Sequence, residues 1–243
     1  DLLKPGHSRR LVADLLQPSD VVVLVTPIDE SAPKGRLILP QQQVIREVLD
    51  AHAVCTVTQE TELRPTLERL GKRPAMVITD SQVFAKVAAD TPSDIPLTSF
   101  SILMARYKGF LETAVKGIRA VESLQEGDRV LLAEGCTHHR QCKDIGTVKI
   151  PRWLSQYTHK QLQMETVSGA EFPDDLSGIA LVIHCGGCML NEREIHYRMQ
   201  HAIQSGVAFT NYGTIIAYMQ GILRRSLELF PALLSELDEL EGR

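Results

Sequence analysis

The sequence contains no apolar run approaching the roughly 20 residues a membrane-spanning helix needs, and no charged-then-apolar leader with a small-residue cleavage site opens it. A soluble, cytoplasmic protein without a membrane partner is therefore expected. It also lacks an excess of charge of one sign. Its 26 basic and 30 acidic residues are scattered along the chain for a formal net charge of −4, so there is no basic stripe to track a phosphate backbone, and no nucleic-acid partner is expected. The phosphate-cradling G-x-x-x-x-G-K-S/T, the dinucleotide G-x-G-x-x-G and the nucleophile elbow G-x-S-x-G are all missing, which excludes P-loop nucleotide hydrolysis by these residues. No internal repeat and no low-complexity segment is found. Cysteine is scarce: five thiols at uneven positions in 243 residues do not make a disulfide scaffold. What the chain does have is 44% hydrophobic and 23% charged residues, enough to bury one large core or two modest ones and incompatible with disorder.

Short β-branched runs alternate with helical periods. The runs at 21–25, 54–57 and 76–79 are of the kind found in strands covered on both faces. Between them, Val44, Ile45, Val48 and Leu49 follow Pro40 in a first-turn position, and Leu63, Leu67 and Leu70 are closed by Gly71. Ser81 is the expected cap of a helix with Val83, Phe84, Val87 and Ala88 on one face. A stretch rich in Pro, Ser, Thr and Asp at 90–98 breaks the pattern, and a domain boundary is expected there. One long helix is predicted over 99–124, ended at Gly127. Runs at 130–133, 181–183 and 207–209 follow, with a helix opening at Asn191 under a capping-box-like Glu194 and ending near Gly206. Residues 134–180 read as less regular, residues 1–20 as a linker, and the acidic tail after Pro231 as a last amphipathic helix. The expected fold class is α/β, with two small domains, each a mainly parallel sheet flanked by helices.

The chemistry sits in cysteines and histidines. Cys185-Gly186-Gly187-Cys188 follows a strand-like run and precedes a helix, where outward-pointing amides and the helix dipole favour thiolates. Cys136 occupies the equivalent place after 130–133, with His138 two residues on and His184 directly before Cys185. Two parallel strands of one sheet would deliver these groups to one edge, where open α/β sheets gather ligands. The constellation reads Cys-x-His, 45 residues, His-Cys-x-x-Cys. A lone C-x-x-C suits a thioredoxin-like dithiol, half a zinc site or half an iron-sulfur site, but a dithiol oxidoreductase has no use for a third cysteine. Zinc would take three cysteines and a histidine as a closed tetrahedron, whereas a 4Fe-4S cluster on three thiolates would keep one iron open or weakly ligated. Both remain open on these residues. Cys55 reads as a buried small hydrophobe, Cys142 as a bystander thiol, His139 and His159 as solvated loop residues, and His196 and His201 as helix-surface residues. The polar loop 26–36 reads as a solvated connection, with a binding loop as its alternative.

Cys136-Thr137-His138 paired with His184-Cys185-Gly186-Gly187-Cys188 resembles the cluster-binding signature of the [FeFe]-hydrogenase maturation GTPases, the HydF family, and VTPIDESAPKGRLILPQQQ at 25–43 is similar to the start of that family's dimerisation domain. The likeness covers essentially the whole chain apart from the family's GTPase domain, so GTP binding is expected only in that missing domain and this chain is not expected to be catalytic. The resemblance implies a scaffold and carrier that binds a 4Fe-4S cluster through Cys136, Cys185 and Cys188, with His138 and His184 as further cofactor-binding candidates. It implies that the carrier receives a diiron subcluster precursor from two radical-SAM maturases and delivers it to apo-[FeFe]-hydrogenase. By the same likeness residues 1–97 are the dimerisation domain of a homodimer and residues 98–243 the iron-sulfur cluster-binding domain. The rival readings are a thioredoxin-like dithiol oxidoreductase and a zinc-stabilised interaction module.

Overall fold

The computed structural model describes residues 9–28, 37–135 and 144–241. The first unit runs β1 (Val21–Val25), α1 (Leu39–Asp50), β2 (Val54–Thr58), α2 (Leu63–Arg69), β3 (Met76–Thr79), α3 (Phe84–Asp90) and β4 (Leu97–Ser99). Its four strands form a parallel sheet in the order β2-β1-β3-β4. Helices α4 (Phe100–Tyr107), α5 (Leu111–Gly117) and α6 (Arg119–Ser123) lead to the second unit. There β5 (Arg129–Glu134), α7 (Ile150–Thr158), β6 (Gln163–Ser168), β7 (Ile179–His184), α8 (Glu192–Gln204) and β8 (Ala208–Asn211) build another parallel sheet, β6-β5-β7-β8, before α9 (Tyr212–Met219), α10 (Leu223–Ser226) and α11 (Pro231–Glu241). The α/β class and the two helix-flanked parallel sheets expected from the sequence are what the chain forms.

The central strands were legible because they are buried on both faces. Every residue of β3, and all of β1 beyond Val21, is buried, so both faces demand apolar side chains. Several expectations need correction. The single helix over 99–124 is three helices: Gly109 at φ +77° breaks it after α4, and α5 stops at Gly117. The apolar period runs on because all three pieces face the same core. Within the less regular stretch 134–180 the chain forms two elements that the sequence did not single out, α7 and β6. The segment before residue 20 is not a linker where it is described: Leu11, Val12, Ala13 and Leu16 are buried, and the Glu47 carboxylate accepts the amides of Leu11, Val12 and Ala13 at 3.0–3.1 Å. The expected helix cap at Ser81 belongs to Asp80, whose carboxylate accepts from the Gln82 amide at 3.0 Å.

No sequence repeat exists, yet both sheets have the same strand order, with the reversal of direction between the first and third strands of each, β1 and β3 or β5 and β7. In such sheets ligands collect at the carboxyl ends of the strands flanking the reversal. Helix α9 packs between the units, against β7 and β8 on one side and α3 and the Ser81–Val83 turn on the other. Arg225 completes the seam by donating to the carbonyls of Ala88, Thr91 and Pro92 at 2.7–2.8 Å.

Helix α5 approaches β8 so closely that a Cβ at Gly117 would lie 2.1 Å from the Phe209 carbonyl oxygen. Backbone cannot swing aside as a side chain does. Gly117→Ala is therefore expected to cost about 2–3 kcal/mol of stability, read as a lowered urea midpoint; an unchanged midpoint would refute this packing.

Candidate functional site

Strands β5 and β7 are parallel neighbours, with Ala133 opposite His184, so the chain leaves both at one sheet edge. The Cys185 amide donates to the Ala133 carbonyl at 2.9 Å, extending the ladder by one residue. Beyond that point the Cys185 side chain turns back: its Sγ accepts from the Gly135 amide at 3.1 Å and the Gly187 amide at 3.3 Å. Amide protons aimed at sulfur stabilise a thiolate, free or metal-bound. The first of these amides belongs to the residue immediately before Cys136 and lies 50 positions from Cys185 in sequence.

The two glycines between the cysteines are not equivalent. Gly187 has φ +65°, and a Cβ there would lie 2.1 Å from Ile195 Cδ1; at Gly186 the nearest atom would be Met104 Cβ at 3.4 Å. The turn requires glycine only at its second position. Cys188 is half-buried. Burial pushes its thiol up, while its own amide, that of Met189 and the Lys108 ammonium pull the other way. Lys108 Nζ donates to the Leu190 carbonyl at 2.7 Å, and Asn191 caps α8 by accepting from the Glu194 amide at 2.8 Å, as its sequence position predicts.

His184 is fully buried. Its ring stacks on Phe209 with centroids 5.7 Å apart and meets Phe110 edge-on at 6.3 Å. Nδ1 lies 2.8 Å from the Cys185 carbonyl oxygen, which can only accept, so Nδ1 carries the proton and Nε2 is left to accept from Arg198 at 3.4 Å. Burial above all, with the Arg198 charge in support, takes its pKa down to about 4. The imidazole is neutral and has both nitrogens engaged within the protein. Cys136 and His138 lie outside the described residues, as do His139 and Cys142. Among the described residues no group of three or more His, Cys, Asp or Glu side chains is arranged to hold a metal ion.

Several residues at this edge were not singled out from sequence. Glu134, the last residue of β5, is buried and accepts from the Tyr212 hydroxyl at 3.1 Å. Burial, then the charges of Glu134 and Cys185, hold that hydroxyl well above its usual range. Asp144, also buried, accepts from the Thr147 amide at 2.7 Å. Arg198 stands on the buried face of α8 with Ile195, Met199 and Ala202, and a cation at that spacing was the signal that could have found it. Cys55, expected to be buried, is half-buried against the core, enough to raise its thiol to about 11, and His159 is exposed. His196 and His201 are half-buried on α8, each bonded to a backbone carbonyl.

Residues 11–109 match the Hydrogen maturase F dimerization domain and residues 112–229 the Hydrogen maturase F tetramerization domain. No curated protein matches the chain.

The contrast between the two glycines is directly measurable. Gly187→Ala is expected to cost about 2 kcal/mol through left-handed strain and the clash with Ile195, and Gly186→Ala less than about 0.5 kcal/mol. Thermal denaturation of both variants checks this, and equal losses would contradict the turn geometry.

Proposed function

Since the chain belongs to the hydrogen maturase F family and serves hydrogenase maturation through self-associating domains, we propose that the β5/β7 edge holds a 4Fe-4S cluster on Cys136, Cys185 and Cys188. The observation that carries this reading is the hydrogen bond from Gly135 to Cys185 Sγ, which joins the two halves of the cysteine motif across the strand reversal. The donor set fits a thiolate-held group: Cys185 Sγ has two amide donors, Cys188 has a cation beside it, and glycine lets the backbone wrap closely. When bound, a cluster on three thiolates offers an iron position open to an exchangeable ligand, which suits a scaffold that must hold its cargo and release it. In this reading His184 directs the Cys185 carbonyl and is not itself a ligand, because both of its nitrogens are already engaged. The cargo is a diiron subcluster precursor, received from the two radical-SAM maturases and passed to apo-[FeFe]-hydrogenase.

The test is anaerobic reconstitution with iron and sulfide, followed by metal analysis and electron paramagnetic resonance. Replacement of Cys136, Cys185 or Cys188 by Ser is expected to remove most of the bound iron in each case. Normal iron in any one variant removes that residue from the site, and zinc in place of iron in the anaerobically purified parent replaces the reading with a zinc-stabilised module. Dithiol redox activity that persists in Cys136→Ser with no iron in the parent replaces it with a thioredoxin-like one.

Self-association is assigned to the edge of the first sheet. β2 has no strand beyond it among the described residues and exposes Val54 and Val57, an unprotected edge that a second copy could pair with isologously. Val57→Lys is expected to weaken the dimer at least about tenfold. Light scattering across a dilution series reads this, and an unmoved association midpoint excludes this edge.

A further inference from the structure

Resting on the reading that Cys185 is a ligand, we propose that Arg198 is the positioning residue of the site, acting through His184 to fix the Cys185 carbonyl and hence the direction of Cys185 Sγ. Arg198 is fully buried on a helix face whose other residues are apolar. A cation there carries a desolvation cost that a leucine would not incur, so packing alone does not account for it. Its guanidinium spans three elements. Nε donates to Glu194 at 2.7 Å on the same helix, Nη2 to the Gly169 carbonyl at 2.7 Å just beyond β6, and Nη1 faces His184 Nε2 at 3.4 Å at the end of β7. The plane of the fork is held over the Phe172 ring, 5.3 Å from its centroid.

Arginine is only a donor and stays protonated at any ordinary pH. Whatever it faces must accept, so Nε2 of His184 presents its lone pair and Nδ1 keeps the proton. That tautomer is the one able to donate to the Cys185 carbonyl at 2.8 Å. The opposite tautomer would set a ring lone pair against the carbonyl lone pair at the same distance, and the Cys185 peptide would turn away. Sγ would then leave the two amides, of Gly135 and Gly187, that it now accepts from. A role confined to tying α8 to the Gly169 turn would have no effect on the tautomer. The tautomer therefore separates positioning from scaffolding.

Long-range proton–nitrogen correlation on the full apo chain with 15N-histidine is expected to show His184 protonated at Nδ1. In Arg198→Met it should move to the Nε2-protonated form or a mixture, and amide exchange at Gly135 and Gly187 should quicken about tenfold, the worth of one lost hydrogen bond. Arg198→Lys retains the cation for Glu194 but has no second nitrogen for His184, so it should give the same tautomer change in a chain that still folds. In reconstituted protein, chelator-driven iron loss should speed by a similar factor, about tenfold. In a His184→Asn background, whose amide can itself donate to the Cys185 carbonyl, adding Arg198→Met should change that rate less than about twofold. An Nε2-protonated His184 in the parent, or an unchanged tautomer and unchanged exchange in both Arg198 variants, overturns the proposal. If the parent binds no iron, the ligand reading fails while the apo-chain measurements still decide the role of Arg198.

Discussion

The site depends on one strand pairing. β5 and β7 are about fifty residues apart in sequence, and only their parallel register brings Gly135 to the sulfur of Cys185. A register slip of one residue would turn every side chain of β7 to the other face. It would drive the His184 ring out of its slot between Phe110 and Phe209 and leave a polar imidazole where apolar residues pack. The same burial that makes β7 legible as a strand therefore also aims the cysteine loop. Fold and site are fixed by one set of contacts, and the loop between the cysteines adds only what a glycine at positive φ provides.

The sequence signals succeed where a strand is buried on both faces and fail where it is short or at an edge. β4 has three residues and follows Pro96 in a stretch whose composition is that of a loop. It is a strand because β3 offers an unpaired neighbour, a fact of tertiary structure. β6, QMETVS, is half-exposed along most of its length and carries polar residues, so it shows no apolar run. The helix over 99–124 fails for the opposite reason. Its period is sound, but period reports the direction of the core and says nothing of whether the backbone hydrogen-bond ladder continues through Gly109.

At the site, the cysteines were legible because their spacing is itself a local pattern in the chain. The groups packed around them leave at most a fainter one, such as the cation on the apolar face of α8. Arg198 reaches His184 across 14 residues and Gly169 across 29, and Tyr212 reaches Glu134 across 78. The partners of these contacts lie too far off in sequence for any local pattern to pair them. His184 was conspicuous beside Cys185, but proximity could not tell a ligand from a positioning group. That distinction rests on where its two nitrogens point, and the carbonyl of Cys185 answers for one and Arg198 for the other.

The repeated strand order also sets what each unit can offer a second copy. Each sheet leaves its second strand at an edge, yet the two edges are treated differently. β6 is bridged to β5 by the Arg129–Glu165 ion pair and presents Gln163 and Glu165 at its exposed end, the kind of charge that discourages strand addition. β2 carries no such guard and exposes two valines. Apolar side chains favour strand addition at an edge, and of these two edges β2 is the one that exposes them. Pairing through β2 would keep the cysteine edge free of that interface, since Cys185 leaves from the end of β7 at the centre of its sheet. A partner could then approach the thiolates without first separating the paired copies.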